Sequence, residues 1–252
     1  LTVYWRVLAR AEADLSFFSH LLDSQGRMWG QGDRNEYWSP EWRPGDLVIG
    51  HYDIKVDPKA PAGRYTLEVG LFDRSTGIRL KLSDGGEAQP LEAVKVLQIS
   101  QPSLDGIGQA LGLRLGDSIE LLGFQPDGAK DGSGLAARVR PGERLGYTLF
   151  WRAIGTIRDD YTVFLHLLDS SGRLISQADS QPQGGAFPTS FWDPGEVVAD
   201  RIALPAPRDM PPGVYSLRLG LYQLASGRRL AVTGGAAALG DQVSLGQVNV
   251  AP

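Results

Sequence analysis

The side chains with the clearest chemical potential are tryptophans next to charged residues. Trp42-Arg43 and Trp192-Asp193 each precede a Pro-Gly turn, and Trp38 stands four residues before Trp42. An exposed indole can stack on the apolar face of a sugar, and a neighbouring Arg or Asp can bond the sugar hydroxyls. The pattern therefore predicts a glycan-binding surface at these five residues. The alternative is that each Trp folds over its own Pro-Gly turn and belongs to the core.

A further group of aromatic residues occurs in only one half of the chain. The N-terminal half has Trp29, Tyr37 and Trp38 near Trp42, whereas the matching positions of the C-terminal half are Ile175, Phe187 and Pro188. A shared core would be expected to keep its aromatic residues in both halves. An aromatic cluster present in one half alone is typical of a binding surface.

The remaining polar motifs favour structural roles. His20 and His166 share the motif Phe-x-His-Leu-Leu-Asp, with no cysteine, second histidine or carboxylate pair at ligand spacing, so we expect neither a metal nor another cofactor. Asp23 and Asp169 open Asp-Ser-x-Gly turns, where the side chain caps nearby backbone. No nucleophile–base pair is present, and a glycoside hydrolase would need two carboxylates across a cleft. The chain is therefore predicted not to be an enzyme.

These residues lie within a long internal duplication. The matching segments, first at an offset of 146 and then of 150, are Thr2–Met28 with Thr148–Leu174, Ser39–Asp46 with Thr189–Glu196, and Pro61–Phe72 with Pro211–Tyr222. A period this long indicates duplicated domains and not a solenoid. We predict a first domain over residues 1–101, a linker over 102–116, and a second domain over 117–252.

Each domain has the pattern of a β-sandwich. Residues 145–153 alternate between apolar and polar side chains, and 161–168 are β-branched, aromatic and apolar on both faces. Short strands of this kind, punctuated by 32 Gly and 16 Pro, predict an all-β fold of two tandem immunoglobulin-like β-sandwich domains. Tyr65 and Tyr215 each follow a Pro-x-Gly turn, which resembles the tyrosine corner of such sandwiches.

Composition restricts the possible partners. The net charge of −4 gives no long-range attraction for nucleic acid, and no apolar run is long enough to cross a bilayer. The chain opens at Leu1 inside a strand pattern, so we interpret it as a piece of a longer protein. We expect the first copy to lack the strand equivalent to Ile119–Phe124, which would leave a sheet edge open or covered by a neighbour.

The second copy carries a recognisable string of segments: TVFLHLLDSSGRLISQADSQPQGG, PTSFWDPGEVVADRIALP and PPGVYSLRLGLYQLASGRRL. This string resembles a β-sandwich module found in the extracytoplasmic tails of bacterial multi-pass, membrane-associated glycosyltransferase-like proteins of the protein-mannosyltransferase type. The resemblance implies a location in the cell envelope outside the cytoplasmic membrane, tethered through a part of the protein outside this chain. It also implies a glycan or lipid-linked sugar as ligand and the parent membrane protein as partner in cis. The catalytic carboxylates of such transferases lie in membrane-embedded loops, and nothing in this chain matches them.

The sequence thus predicts a non-catalytic accessory region of a bacterial envelope protein that binds or positions a glycan or acceptor. The alternative is a purely structural spacer or a protein–protein interaction module, which requires no exposed tryptophan.

Overall fold

The computed structural model describes residues 1–33, 38–97, 102–128 and 136–250. Contacts divide the chain into two compact units, unit 1 (Leu1–Leu97) and unit 2 (Gln98–Pro252). Over the described ranges the regular structure consists of β-strands and short 3₁₀ turns, without an α-helix. The predicted all-β fold of tandem immunoglobulin-like sandwiches is confirmed.

Unit 1 contains a five-stranded antiparallel sheet and a two-stranded one. Its strands are β1 (Thr2–Arg6), β2 (Leu15–Leu22), β3 (Met28–Gln31), β4 (Leu47–His51), β5 (Lys55–Val56), β6 (Gly63–Asp73) and β7 (Gln89–Val96). The larger sheet has the order β5-β3-β2-β6-β7, and β1 pairs with β4. Phe17 and Leu21 of β2 pack in two core clusters, the first with Val48 of β4 and the second with Leu67 of β6.

Unit 2 contains two five-stranded sheets. Its strands are β8 (Gln109–Leu115), β9 (Ile119–Pro126), β10 (Ala136–Val139), β11 (Arg144–Ala153), β12 (Tyr161–Leu168), β13 (Leu174–Ser180), β14 (Val197–Pro205), β15 (Gly213–Gln223), β16 (Val232–Thr233) and β17 (Val243–Val250). The sheet orders are β10-β17-β15-β12-β13 and β14-β11-β9-β8-β16, with β10 and β17 parallel. Trp151 and Leu149 of β11 and Val163 of β12 are among the fully buried side chains.

The central strands β2 and β12 are apolar on both faces because each has a phenylalanine on its outer face. The Phe18 ring lies against Gly70 of β6, where an added Cβ would overlap it, and Phe164 lies against Gly220 of β15 in the same way. The ring therefore rests on the sheet only because its neighbour is glycine. This explains the near-continuous burial of both strands.

The predicted tyrosine corners are present in both units. The Tyr65 hydroxyl donates to the Pro61 carbonyl over 2.7 Å, and the Tyr215 hydroxyl donates to the Pro211 carbonyl over 2.9 Å. Each bond fixes the entry of the chain into a long strand, β6 or β15.

The predicted linker over 102–116 is wrong for its second half. Residues Gln109–Leu115 form β8, which pairs with β9 and β16, and Leu113 and Leu115 are buried. Glycines at 106, 108, 112 and 116 make this stretch resemble a loop in sequence. Burial of its alternating leucines nevertheless stabilises a strand.

Strand β11 lies between β14 and β9, whereas its counterpart β1 pairs with β4 alone among the described residues.

Candidate functional site

Two consecutive turns place Trp38 and Trp42 at one site of unit 1. A 3₁₀ turn over Ser39–Glu41 separates them, and the Trp42 amide donates to the Ser39 carbonyl over 3.0 Å. Pro40, the second residue of this turn, suits its first turn of helix because the fixed φ of proline is already helical. The Arg43 amide then donates to Asp46 Oδ2 over 2.8 Å, which closes the Pro-Gly turn behind Trp42.

Ser39 fastens this turn to the start of β2. Its hydroxyl donates to the Ala13 carbonyl over 2.9 Å and accepts from the Leu15 amide over 2.6 Å. Ser39 is fully buried, so the turn is anchored at its first residue. The adjacent Trp38 is therefore held by ordered backbone.

Trp42 is half-buried and belongs partly to the core. Its ring stacks on Phe17 with centroids 5.6 Å apart and planes 20° apart. Its Nε1 is buried without a hydrogen-bond partner among the described residues. Trp42 is thus a rigid support with one unused donor.

Trp38 is the exposed ring of the pair, with 59% of its surface accessible. It lines two clefts together with Trp42. The first, of about 420 Å³, also has Glu41 and Asp46 in its wall, and the second, of about 810 Å³, has Arg10 and Arg43. The site therefore offers an aromatic platform with Glu41 in both clefts, Asp46 in the first and guanidinium groups in the second.

The expectation of an exposed ring at Trp192 is wrong. Trp192 is only 3% accessible, and its Nε1 donates to the Phe187 carbonyl over 3.0 Å. Phe187 is itself fully buried, and Pro188 stands where unit 1 has Trp38. Asp193 is exposed, and its amide bonds to Glu196, which closes a turn as Asp46 does in unit 1. Asp193 therefore has no open aromatic platform at Trp192.

The predicted aromatic cluster of Trp29, Tyr37 and Trp38 is not assembled around Trp29. The Trp29 indole donates to Asp23 Oδ2 over 2.9 Å and packs on a core cluster with Leu21. It lines a different cleft from Trp38. Tyr37 lies outside the described residues.

The Asp-Ser-x-Gly turns use their carboxylates as predicted. Partial burial acts to raise the pKa of Asp23, but hydrogen bonds from Trp29, Arg27 and Gln25 lower it to about 2. The pKa of Asp169 is also lowered to about 2, first by the Ser171 hydroxyl and then by backbone and side-chain bonds of its turn. Both groups are ionised acceptors that order a hairpin.

The paired histidines lie in packed polar clusters. His20 and Phe18 have ring centroids 4.7 Å apart, and His20 Nδ1 lies 3.3 Å from Glu68 Oε1. The rings of His166 and Phe164 are tilted by 41° with the same centroid distance of 4.7 Å, and burial lowers the pKa of His166. No group of three or more His, Asp or Glu side chains suited to a metal ion occurs among the residues that the structure describes.

One buried titratable group was missed in the sequence. Asp200 of β14 is 3% accessible, and burial raises its pKa to about 6, partly offset by the Gln183 amide that donates to it over 2.7 Å. The signal in the sequence is a charged residue inside the apolar run Val197–Leu204. The matching residue of unit 1 is Gly50, so the group is specific to unit 2.

Within the described residues no helix has the length and apolar character needed to cross a membrane.

No family model matches the chain, and no curated protein does. Among solved structures it is similar to the C-terminal domain of wzt, with 11% identity over 56% of this chain and 77% of that chain at a TM-score of 0.40. It is also similar to the CARDB domain of a Pyrococcus furiosus protein in complex with di-metal ions. That match has 11% identity over 57% of this chain and 96% of the other chain, at a TM-score of 0.29. A third similar structure is a putative membrane anchored protein from Corynebacterium diphtheriae. The match covers 100% of this chain and 55% of the other chain, with 13% identity and a TM-score of 0.26. Similarity at these scores supports no functional inference for this chain.

Proposed function

We propose that unit 1 is a non-catalytic glycan-binding module whose ligand stacks on Trp38. The observation that carries the proposal is an exposed Trp38 next to a half-buried Trp42, with Glu41 and Asp46 lining the same cleft. Carboxylates accept hydrogen bonds from sugar hydroxyls, and the guanidinium groups of the second cleft donate to them. Concave sites with an apolar wall and a few polar groups are the usual form of small-ligand sites.

The contrast between the units supports the same conclusion. Unit 2 keeps the turn and its tryptophan but buries Trp192, whose Nε1 donates to the Phe187 carbonyl. The turn therefore forms in unit 2 without an exposed ring, so the stability of the turn does not require one. Leaving the apolar ring of Trp38 in water is unfavourable in free energy. A ligand that stacks on the ring would remove that surface from water.

The test is glycan-array binding followed by calorimetry on the full chain and its Trp38→Ala variant. Stacking on an aromatic ring contributes about 0.5–1.5 kcal/mol, so Trp38→Ala should weaken binding by about twofold to tenfold. Glu41→Gln should weaken it further if the carboxylate accepts sugar hydroxyls. Tyr4→Ala is the matched control because Tyr4 is also an exposed aromatic of unit 1, 65% accessible, and lines neither cleft.

Equal binding by wild type and Trp38→Ala would reject the proposal and leave the spacer or protein–protein interpretation. If the chain hydrolyses chromogenic glycosides and Glu41→Gln abolishes that activity, the claim that unit 1 is non-catalytic is rejected. Trp42→Ala is unsuitable as a probe because it would remove the stack on Phe17.

The wider setting belongs to the same proposal: an extracytoplasmic accessory region joined to a membrane glycosyltransferase. Its support is the sequence resemblance of the second copy to tail modules of such proteins. Protease accessibility of this region in intact spheroplasts, with the whole encoded protein expressed, would test it. Protection from protease until the membrane is permeabilised would contradict it.

A further inference from the structure

The second cleft beside Trp38 has an excess of positive charge in its wall. It has a volume of about 810 Å³, within the usual range of small-ligand sites, and its charged residues are Arg10, Arg43 and Glu41. Both arginines are exposed, and neither guanidinium has an ion-pair or hydrogen-bond partner among the described residues. Two unpaired cations next to an exposed aromatic ring favour a ligand that carries a negative charge.

The net charge of the chain does not oppose such a ligand. That charge is −4 over 252 residues, but the Debye length at physiological ionic strength is about 8 Å. A group bound in the cleft therefore interacts mainly with the side chains of the cleft wall. Guanidinium groups bind carboxylates and phosphates through two parallel hydrogen bonds, which makes arginine well suited to hold either anion.

The backbone at both arginines is fixed to the same pair of turns. The Arg43 amide donates to the Asp46 carboxylate, and the Asp46 amide donates to the Arg43 carbonyl over 3.0 Å. The segment that carries Arg10 is tied on both sides. Before it, the Val7 amide donates to the Asp46 carbonyl over 2.9 Å, and after it, the Ala13 carbonyl accepts from the buried serine of the 3₁₀ turn. The two guanidinium groups are thus attached to an ordered frame.

Unit 2 builds the same frame. The Ala153 amide donates to the Glu196 carbonyl over 3.0 Å, and the Gly195 amide donates to the Ala153 carbonyl over 2.8 Å. Thr189 ties the 3₁₀ turn to the Asp159 carbonyl over 2.7 Å. The frame therefore forms with other side chains at the two arginine positions.

Those positions carry no positive charge in unit 2. Thr156 matches Arg10, and Asp193 matches Arg43. Both are exposed, although unit 2 has strand β9 beside β11, so exposure at these positions belongs to the shared fold. The paired guanidinium groups occur only in unit 1, which is also the unit with the exposed Trp38. Their coincidence with the open ring indicates that they serve the same ligand.

We propose that the ligand of unit 1 is an acidic sugar, which rests on the glycan-binding function proposed above. Its ring stacks on Trp38, and its carboxylate or phosphate group is bound by Arg10 and Arg43. Glu41, which lies in both clefts, accepts a hydrogen bond from a hydroxyl of the same sugar. The site thereby selects acidic glycans over neutral ones of the same ring structure.

The experiment begins with the full chain on an array of hexuronic acid oligomers, phosphorylated hexose oligomers and neutral hexose oligomers. The strongest acidic ligand is then compared by calorimetry with its own neutral form, the methyl ester of a carboxylate or the dephosphorylated form of a phosphate. An exposed ion pair changes affinity by about twofold to fivefold, so the acidic form should bind at least about fourfold more tightly. This preference should shrink between about 50 mM and about 500 mM salt. The chemistry of the preferred ligand tells carboxylate from phosphate.

The decisive variant is the double substitution Arg10→Thr/Arg43→Asp, which gives unit 1 the residues of unit 2 at both positions. Because unit 2 forms the same frame with these residues, the variant should fold. It should lose the preference for the acidic form. Arg6→Gln is the matched control, since Arg6 is an exposed arginine of unit 1 that lines neither cleft, and it should keep the preference.

Equal affinity for the acidic and neutral forms would overturn this proposal. If Trp38→Ala still weakens that binding, the glycan site itself stands and only the acidic ligand is rejected. A preference for acidic glycans that survives Arg10→Thr/Arg43→Asp would also overturn the proposal, because the anion would then bind elsewhere. Absence of binding to every glycan on the array would reject the glycan-binding function as well.

Discussion

At the level of single residues, the two copies differ at two facing positions of the segments that contain β4 and β14. Asp200 in unit 2 matches Gly50 in unit 1, and Ile202 matches Tyr52. An added Cβ at Gly50 would lie 2.7 Å from the Tyr52 ring, so the larger aromatic residue requires glycine there. In unit 2 the smaller Ile202 stands at the position of Tyr52, and Asp200 is buried at the position of Gly50. In unit 1 the Tyr52 ring leaves no room for a side chain at Gly50.

Asp200 should make unit 2 more stable in mild acid than at neutral pH. Burial raises its pKa in the folded protein to about 6, above the ordinary value of 3.8, so the folded state holds this proton more tightly than the unfolded state does. Stability then falls as the pH rises from about 4 through about 6, by about 2–3 kcal/mol in total. The measurement is the urea unfolding free energy from pH 4.5 to 7.5.

Asp200→Asn should remove that component of the pH profile because the amide does not titrate. The exposed Asp209→Asn is the matched control in the same unit and should keep the wild-type profile. Identical profiles for wild type and Asp200→Asn would show that this carboxyl is not the group responsible.

At the level of elements, one hydroxyl joins the 3₁₀ turn to the central strand in both units. Thr189 in unit 2 donates to the Asp159 carbonyl over 2.7 Å and accepts from the Tyr161 amide over 2.9 Å, as Ser39 does with Ala13 and Leu15. Both hydroxyls are fully buried. Two backbone groups at the start of a buried strand are thereby satisfied without water. The turn that carries Trp42 or Trp192 is thus fixed by the same device whether its ring is open or covered.

Thr189→Val should destabilise unit 2 by about 1–3 kcal/mol, because it keeps the volume and leaves a buried amide and carbonyl without partners. Thr189→Ser should cost less than about 1 kcal/mol, since serine already performs this role in unit 1 and only a methyl group is lost. Urea midpoints of the two variants check the prediction. Equal midpoints would mean that the hydroxyl contributes only packing volume.

At the level of the whole molecule, the two units share a plan and differ in their second sheet. Each has a five-stranded sheet and a second sheet, which over the described residues has five strands in unit 2 and two in unit 1. Trp151 is fully buried in the larger sheet, whereas its counterpart Trp5 is only half-buried. Less apolar area is therefore removed from water per residue in unit 1.

Amide hydrogen exchange should report this difference directly. The amides of Thr2, Tyr4 and Arg6 should exchange rapidly, and those of Thr148, Phe150 and Arg152 should be protected, because only the latter face a neighbouring strand. Val3 and Trp5, which face β4, are the internal reference within the same strand. Equal protection of the edge-facing and β4-facing amides of β1 would contradict the assigned pairing.

The sequence by itself determined the fold class, the duplication and the main turns. The alternation along β11, the double-sided apolar run of β12, the tyrosine corners and the Asp-Ser-x-Gly turns all act over a few residues, so local chemistry is sufficient to predict them. The glycine-rich strand β8 was missed because its stability comes from burial against β9 and β16, and its local propensity is poor.

Only the tertiary structure decided which tryptophan is open. Trp42 and Trp192 have the same local setting, because each follows a 3₁₀ turn and precedes a Pro-Gly turn. Trp192 is buried and its Nε1 donates to the Phe187 carbonyl, whereas Trp42 is half-buried and Trp38 beside it is exposed. Exposure depends on how the side chains around a ring pack in the folded unit, and the residue types directly flanking that ring do not encode it.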